Sequence, residues 1–163
     1  LFILHTRWAT HGKVNEINAH PHMDCEKNIF IVHNGTIDNF EEIKRELVNL
    51  EHKFVSETDS EIFAHFFEQR LKEGKSIKEI CLEIFKRFKG TYAVLVYIKN
   101  LNKVVALKNG SPLVIGIDND KIFLASDVYA FYEKTQRVIT LDDYEFVEIE
   151  FWVVVKNEYK NLQ

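Results

Sequence analysis

Residues 28–35 read Asn-Ile-Phe-Ile-Val-His-Asn-Gly, an apolar run of strand length that ends in polar and small residues. An apolar run without alternation is typical of a strand that is covered on both faces, so we predict a buried strand over 28–32. The run Leu1–Leu4 predicts a second such strand. Binding and catalytic groups usually lie where such elements end, which makes His33, Asn34 and Gly35 the first candidate site.

Outward from this strand, apolar residues at helical spacing predict three helices. The first begins at Asp38, and capping boxes over Thr58–Glu61 and Ser76–Glu79 begin the other two. Glycines at 74 and 90 end the second and third helices. The rest of the chain predicts strands over 91–98, 104–107, 113–117, 122–124, 137–140, 145–149 and 152–155, with a short helix over 127–132. This order indicates an α+β layered domain.

Composition narrows the class of protein. The 163 residues are 46% hydrophobic and 13% aromatic, which suits one well-packed domain, with no boundary or repeat. A net charge of −4 argues against a nucleic-acid or anionic-membrane partner. No apolar segment approaches the roughly 20 residues that span a bilayer, and we expect no signal peptide, since residues 1–20 do not show its charged and apolar regions. Two cysteines are too few for a disulfide scaffold, so we expect a reducing, cytoplasmic location.

Two charged residues suggest a pocket for an amino acid. Arg7 follows the first predicted strand, where a guanidinium can clamp a carboxylate or form a structural ion pair. Asp59 is expected in the first turn of the second helix, where a carboxylate also interacts favourably with the helix dipole. Because residues 56–58 supply capping groups, Asp59 is predicted to be free for another partner. Arg7 and Asp59 together would hold an α-amino acid by its two charges.

Asn34-Gly35 allows two interpretations. Asn-Gly is the strongest short turn signal, so one interpretation of the pair is a tight turn between strands. Alternatively, the Asn34 amide and the Gly35 backbone N–H form an oxyanion hole, because both are donors that suit a developing negative charge.

No nucleophile stands out. The run His20-Pro21-His22-Met23-Asp24 is similar to the metal motif of metallo-β-lactamase-like hydrolases, but Cys25 replaces the His expected after the Asp. We therefore predict hydrogen-bonded loop histidines rather than metal ligands. Cys81 lies on an apolar helix face and is expected to be buried and inert. Cys25 lies in a polar loop without a recognised cysteine signature.

Five motifs, in their order and spacing, resemble the glutaminase domain of the glutamine–fructose-6-phosphate aminotransferase family. They are His5–Gly12 (HTRWATHG), Asn18–His22 (NAHPH), Val32–Gly35 (VHNG), Ser56–Glu61 (SETDSE) and Gly110–Gly116 (GSPLVIG). The resemblance runs from Leu1 to about Glu150. Other class II amidotransferases share the Asn-Gly and the Arg, but they differ in the loop after that Arg and lack the Asn-Ala-His-Pro.

The resemblance implies an N-terminal-nucleophile hydrolase fold, an αββα sandwich of two antiparallel sheets between helix layers, here incomplete at its N-terminus. It also implies site roles. Arg7, helped by Thr10 and His11, would bind the glutamine α-carboxylate, and Asp59 would bind the α-amino group. Asn34 and Gly35 would form the oxyanion hole, Trp8 would lie near the ammonia path in the loop that closes over glutamine, and His20 would give support.

The family's nucleophile is an N-terminal Cys whose α-amine serves as general base, whereas residue 1 here is Leu. We therefore expect residues 1–163 to be a single partial glutamine amidotransferase domain, inactive alone. The family implies an enzyme that hydrolyses L-glutamine for hexosamine biosynthesis. Its ammonia passes to a sugar-phosphate isomerase domain of the same polypeptide, which converts fructose 6-phosphate to glucosamine 6-phosphate.

The same resemblance implies a homo-oligomer, with no metal or organic cofactor in the glutaminase reaction. Two alternatives stay open. The chain could be the glutaminase domain of another class II amidotransferase, such as an amidophosphoribosyltransferase-like enzyme. It could also be an amino-acid-binding domain that never had a nucleophile.

Overall fold

The computed structural model describes residues 1, 3, 5, 13, 15–119, 121–150 and, for the backbone, 153–158. Within these residues the helices are α1 (Phe40–Asn49), α2 (Ile62–Lys72) and α3 (Ile77–Arg87), with short 3-10 helices at Lys99–Leu101 and Val128–Ala130. The strands are β1 (His22–Met23), β2 (Ile29–Ile37), β3 (Gly90–Ile98), β4 (Lys103–Asn109), β5 (Val114–Ile117), β6 (Ile122–Ala125), β7 (Val138–Thr140), β8 (Glu145–Glu150) and β9 (Val153–Glu158).

The strands form two antiparallel sheets. One sheet has the order β1-β2-β3-β4-β8-β9, and the other has the order β6-β5-β7. Side chains alternate between the two faces of a strand, and β3 shows the consequence. Tyr92, Val94 and Val96 pack with the helices, whereas Ala93 and Leu95 pack with the three-stranded sheet. Among the described residues the layers are therefore helices, six-stranded sheet and three-stranded sheet, and the α+β prediction is confirmed.

Of the three predicted helix starts, one is confirmed and two are wrong. The capping box of α3 is confirmed, because Ser76 Oγ accepts from the Glu79 N–H and the Glu79 carboxylate accepts from the Ser76 N–H. The prediction for α1 is wrong by one residue, since Asn39 is the N-cap. The box at Thr58–Glu61 is also wrong, because α2 begins only at Ile62.

The strand predictions are mostly confirmed in position. The strand predicted over 28–32 continues to Ile37, which changes the setting of Asn34 and Gly35. The short strand β1 was not predicted. The predicted strand Leu1–Leu4 includes residues outside the described part of the chain. In that described part, none of the helices combines the length and apolarity needed to cross a membrane.

Candidate active site

Asn34 and Gly35 lie inside strand β2. Asn34 pairs with Ala93 of β3, and Gly35 pairs with Tyr92. The interpretation of this pair as a tight turn is therefore wrong, because strand pairing continues for two further residues. Both residues are exposed although β2 is largely buried before them. Asn34 and Gly35 thus lie at the surface within a paired strand.

The ring of His5 orients the Asn34 amide. Its Nε2 lies 2.8 Å from Asn34 Oδ1 and 3.1 Å from the His33 carbonyl oxygen. A carbonyl oxygen only accepts, so His5 Nε2 carries the proton and donates. Asn34 therefore faces His5 with its oxygen, and its Nδ2 donors point to the other side. An amide held in this way is suited to binding a negative charge.

Gly35 occupies a position that has no room for a side chain. Its φ is +123°, and a Cβ would lie 2.0 Å from the Thr91 carbonyl oxygen and 2.9 Å from Ser111 Oγ. Backbone with this φ strongly favours glycine. Ser111 belongs to the Gly110–Gly116 motif, so the tertiary structure brings this motif against Asn34-Gly35. Neither Ser111 nor Thr91 was predicted from the sequence to be part of the site.

The Asp59 carboxylate reaches the same end of β2. Its Oδ2 accepts from the Ile37 N–H at 2.8 Å, and Asp59 is only 3% exposed. The prediction that Asp59 lies in the first turn of α2 is wrong, since it lies three residues before Ile62 in the preceding turn. Asp59 Oδ1 has a contact only with Ser60 Oγ among the described residues, at 3.5 Å. One carboxylate oxygen thus fixes the side chain, and the other has Ser60 as its hydrogen-bond partner in the described part of the chain.

A hydrogen-bonded network holds the turn that carries Asp59. Ser56 Oγ donates to Glu61 Oε2 at 2.6 Å, and Glu61 Oε1 accepts from the Val55 N–H. Thr58 Oγ1 lies 3.0 Å from both Ser56 Oγ and His22 Nε2. These polar side chains bind one another and not the first amides of α2, which is why no capping box forms.

The residues on both sides of segment 6–12 contact this site. On one side, His5 binds Asn34 as described. On the other side, the Lys13 N–H donates to the Glu57 carboxylate, and the buried Asn18 bridges Lys13 and Glu57. The predicted ligands Arg7, Trp8, Thr10 and His11 lie outside the described residues.

Several histidine rings lie close together beside Asn34 and Asp59. His20 lies between His5 and His22, with ring centroids 4.0 and 4.6 Å away. His33 Nδ1 forms a 2.9 Å hydrogen bond with Ser60 Oγ. From the sequence, only His20 was predicted to have a supporting role. His33 and Ser60 were not, because they are 27 positions apart and no sequence spacing connects them.

Burial keeps two of these histidines uncharged. It lowers the pKa of His20 from 6.5 to about 2, with the neighbouring histidines adding to the shift. Burial also lowers the pKa of His33 from 6.5 to about 4, although the nearby Asp59 opposes this effect. Both rings are therefore neutral at pH 7.

We expect acid to destabilise this region before carboxylates titrate. Because the folded-state pKa values are lowered, the unfolded chain binds protons first, so stability is full above about pH 6.5 and falls toward pH 4. Each histidine contributes a slope of up to about 1.4 kcal/mol per pH unit. Urea midpoints at pH 7.5 and 5.0 measure the loss, and His20→Asn should reduce it. Equal midpoints at both pH values would contradict the assignment.

The described residues of the His-x-His-x-Asp run do not share a metal-ligand arrangement. Asp24 Oδ1 accepts from the Asn28 and Ile29 N–H groups, while His22 binds Thr58. The prediction that these histidines are hydrogen-bonded is confirmed for His22, but its placement in a loop is wrong, because His22 lies in strand β1. Cys81 is confirmed as buried, and burial raises the pKa of its thiol well above the usual value.

Comparison with known proteins places these features in a family. The family described as "Glutamine amidotransferase domain" matches residues 5–133. The chain is 44% identical over 156 residues to the glutamine–fructose-6-phosphate aminotransferase (isomerising) of Thermococcus kodakarensis, covering 95% of this chain and 25% of that protein. It is 45% identical over 151 residues to the enzyme of the same name from Methanocaldococcus jannaschii, covering 89% and 14%. The chain thus spans a quarter or less of these relatives.

A solved structure shows the same fold. The glutamine phosphoribosylpyrophosphate (PRPP) amidotransferase from B. subtilis, complexed with ADP and GMP, aligns with a TM-score of 0.76 and 22% identity. The alignment covers 94% of this chain and 34% of the other. The predicted fold of class II glutamine amidotransferases, the N-terminal-nucleophile hydrolase fold, is confirmed by this likeness.

Proposed function

The chain belongs to the glutamine amidotransferase domain family, and on that basis we propose that it is the glutaminase part of an isomerising glutamine–fructose-6-phosphate aminotransferase. Its role is to bind L-glutamine and to stabilise the oxyanion that forms when the side-chain amide is attacked. The observation that carries this proposal is the hydrogen bond from His5 to Asn34 Oδ1, which turns the amide donors of Asn34 away from His5.

The glutamine backbone is held by charge. Asp59 receives the α-amino group on Oδ1, because its Oδ2 is already bound to the Ile37 N–H. Arg7 binds the α-carboxylate, assisted by Thr10 and His11, and Trp8 borders the path of ammonia. The contacts of His5 with Asn34 and of Lys13 with Glu57 support this proposal, since His5 and Lys13 flank positions 6–12 in the sequence.

The reaction proceeds through a covalent intermediate. The thiolate of an N-terminal Cys, which residues 1–163 do not include, attacks the amide carbon, and its own α-amine serves as base. Asn34 Nδ2 and the Gly35 N–H stabilise the oxyanion, ammonia leaves, and water hydrolyses the thioester. His20 supports the site from the side of His5. Residues 1–163 are accordingly a partial domain, and alone they release no ammonia from glutamine.

The identity of 44–45% with isomerising aminotransferases favours this enzyme over the amidophosphoribosyltransferase alternative. Ammonia would then pass to a sugar-phosphate isomerase domain of the same polypeptide, which converts fructose 6-phosphate to glucosamine 6-phosphate. The reaction would take place in the cytoplasm, as a step of hexosamine biosynthesis, and in a homo-oligomer.

Asp59→Asn tests the substrate assignment in the complete enzyme. We expect kcat/KM for glutamine to fall by about 30-fold or more, because losing one partner of a buried charge pair costs on the order of 2–5 kcal/mol. Sugar isomerisation without ammonia should be unchanged. Arg7→Ala should act in the same direction. Steady-state glutamate release and isomerisation, measured on the same preparation, provide both quantities.

Asp38→Asn is the matched control, since Asp38 is exposed and follows Ile37 directly. It should leave glutamine kinetics unchanged. If Asp59→Asn lowers thermal stability while its glutamine kinetics match those of Asp38→Asn, the carboxylate is structural and the assignment fails. An inactive wild-type enzyme that still binds glutamine would instead support the amino-acid-binding alternative.

A further inference from the structure

A second cluster of polar side chains lies behind the turn that carries Asp59. It consists of Cys25, His52, His65 and Glu68, of which Cys25 is exposed and the other three are buried. Each residue contributes one atom to a common centre, and these four atoms all lie within 4.8 Å of one another. Among the described residues this is the group of Cys, His and acidic side chains with such an arrangement. None of these four residues was predicted from the sequence to have a functional role.

The hydrogen bonds of His52 fix which of its nitrogens carries the proton. Gln69 Nε2 donates to the Glu73 carboxylate, so Gln69 Oε1 is the atom that faces His52 Nε2 at 3.0 Å. That oxygen accepts, and His52 Nε2 therefore carries the proton. In the neutral ring, the lone pair of Nδ1 then points to the centre of the cluster.

His65 also faces a hydrogen-bond acceptor on its outer side, the Glu61 carboxylate. His65 Nε2 lies 3.3 Å from Glu61 Oε1. Both oxygens of Glu61 accept from backbone N–H groups, those of Val55 and Ser56, so the carboxylate faces His65 Nε2 as an acceptor. In a neutral ring the lone pair of His65 Nδ1 then lies on the inner side. A carboxylate that orients a histidine in this way is a recurring partner of metal-binding histidines.

With both imidazole rings neutral, three acceptor atoms and one thiol face the centre of the cluster. Glu68 Oε2 lies 3.0 Å from His52 Nδ1 and 3.4 Å from His65 Nδ1, while its Oε1 binds Lys72. The Cys25 thiol brings the one side-chain proton, and Cys25 Sγ lies 3.9 and 3.6 Å from the same two nitrogens. Glu68 Oε2 also accepts from the Cys25 N–H at 3.3 Å, and a cation at the centre would satisfy the acceptors that the thiol cannot.

We propose that Cys25, His52, His65 and Glu68 bind a zinc ion. Bond lengths of about 2.0–2.1 Å to N and O and about 2.3 Å to S separate N from O by about 3.3 Å and N from S by about 3.6 Å in a tetrahedral site. The observed separations of 3.0–3.4 Å and 3.6–3.9 Å match these values. On binding, the thiol releases its proton to water and the thiolate becomes a ligand.

Four protein ligands leave no open position, so the proposed zinc is structural. The proposed zinc site is connected to the candidate active site through Glu61, which binds both His65 and Ser56 in the turn that precedes α2. The zinc ion would thereby secure the turn that carries Asp59. The site uses neither His20 nor any atom of Asn34-Gly35, and it stands independently of the proposed glutaminase activity.

Metal analysis of the purified full-length protein tests the proposal. After incubation with Zn²⁺ and removal of free metal, we expect one zinc ion per chain in wild type. Cys25→Ser and His52→Ala should raise the zinc dissociation constant by at least about 100-fold, and the outer-sphere change Gln69→Ala should raise it by about 10–100-fold. Cys81→Ala is the matched cysteine control, and His22→Asn is the matched histidine control. Both should retain the zinc.

Two further measurements use wild-type protein, so they do not depend on whether a variant folds. Wild-type protein loaded with Co²⁺ should show thiolate-to-cobalt charge transfer and the intense visible bands of tetrahedral Co²⁺. Zinc should also protect Cys25 from alkylation until a chelator removes it. Wild type that takes up no zinc, or zinc that is lost with His22→Asn and kept with Cys25→Ser, would overturn the proposal. A cobalt spectrum without thiolate bands, or equal alkylation of Cys25 with and without chelator, would do the same.

Discussion

We expect Asn34→Ala to lower kcat for glutamine hydrolysis by about 10²–10³-fold in the complete enzyme, the penalty for losing one oxyanion donor. The side chain interacts with charge that appears only in the transition state, so KM should change much less. Asn34→Asp should be at least as damaging, because a carboxylate would face the oxyanion. Steady-state kinetics with glutamine, together with thermal unfolding of each variant, give the required quantities.

Asn28→Ala is the matched control for this experiment. Asn28 directly precedes β2, and its Oδ1 accepts from the Asn100 N–H, so its loss removes a structural hydrogen bond and no active-site group. We expect a modest loss of stability and an unchanged kcat. If Asn34→Ala instead loses stability and keeps its kcat, Asn34 is a structural strand residue and the oxyanion assignment fails.

The largest loss of stability is expected from Gly35→Ala. The new Cβ would lie 2.0 Å from the Thr91 carbonyl oxygen, far inside the closest contact of two such atoms, and the backbone φ of +123° adds strain. Overpacking costs about 1–3 kcal/mol and an unfavourable backbone conformation adds about 1–3 kcal/mol. The variant should therefore unfold about 5–20 °C below wild type, measured by calorimetry.

Gly74→Ala separates the two contributions. Gly74 also has a positive φ, +79°, but a Cβ there would meet nothing within 4 Å. Its substitution reports backbone strain alone and should cost about 1 kcal/mol. Equal melting temperatures for Gly35→Ala and Gly74→Ala would mean that β2 moves away from Thr91 at little cost, contrary to the close fit described above.

The two proposals meet at the turn over residues 56–61. Asp59 from this turn faces β2 through the Ile37 N–H, whereas Glu61 faces the opposite direction and holds His65. Removal of zinc should therefore weaken glutamine binding only as far as it loosens this turn. Changes at Asn34 act on the reaction without any effect on zinc content, so the two sets of experiments report independently.

Local patterns in the sequence determined most of the secondary structure and the family of this protein. The apolar runs placed the central strands, helical spacing placed three helices, and Ser76 with Glu79 fixed the start of α3. The five motifs identified the family, and their residues include Asn34, Gly35 and Asp59. These features are readable because each depends on residues within a few positions of one another.

Only the tertiary structure decided the contacts that give those residues their chemistry. His5 orients Asn34 across 29 positions, and the Cys25 cluster is drawn together across 27 to 43 positions. The turn before α2 does not form its predicted capping box. Ser56 and Glu61 bind each other, Thr58 binds His22 across 36 positions, and Glu61 binds His65. Hydrogen bonds to buried groups are stronger and less replaceable than those to water, so long-range partners prevail over local preference where the chain is packed.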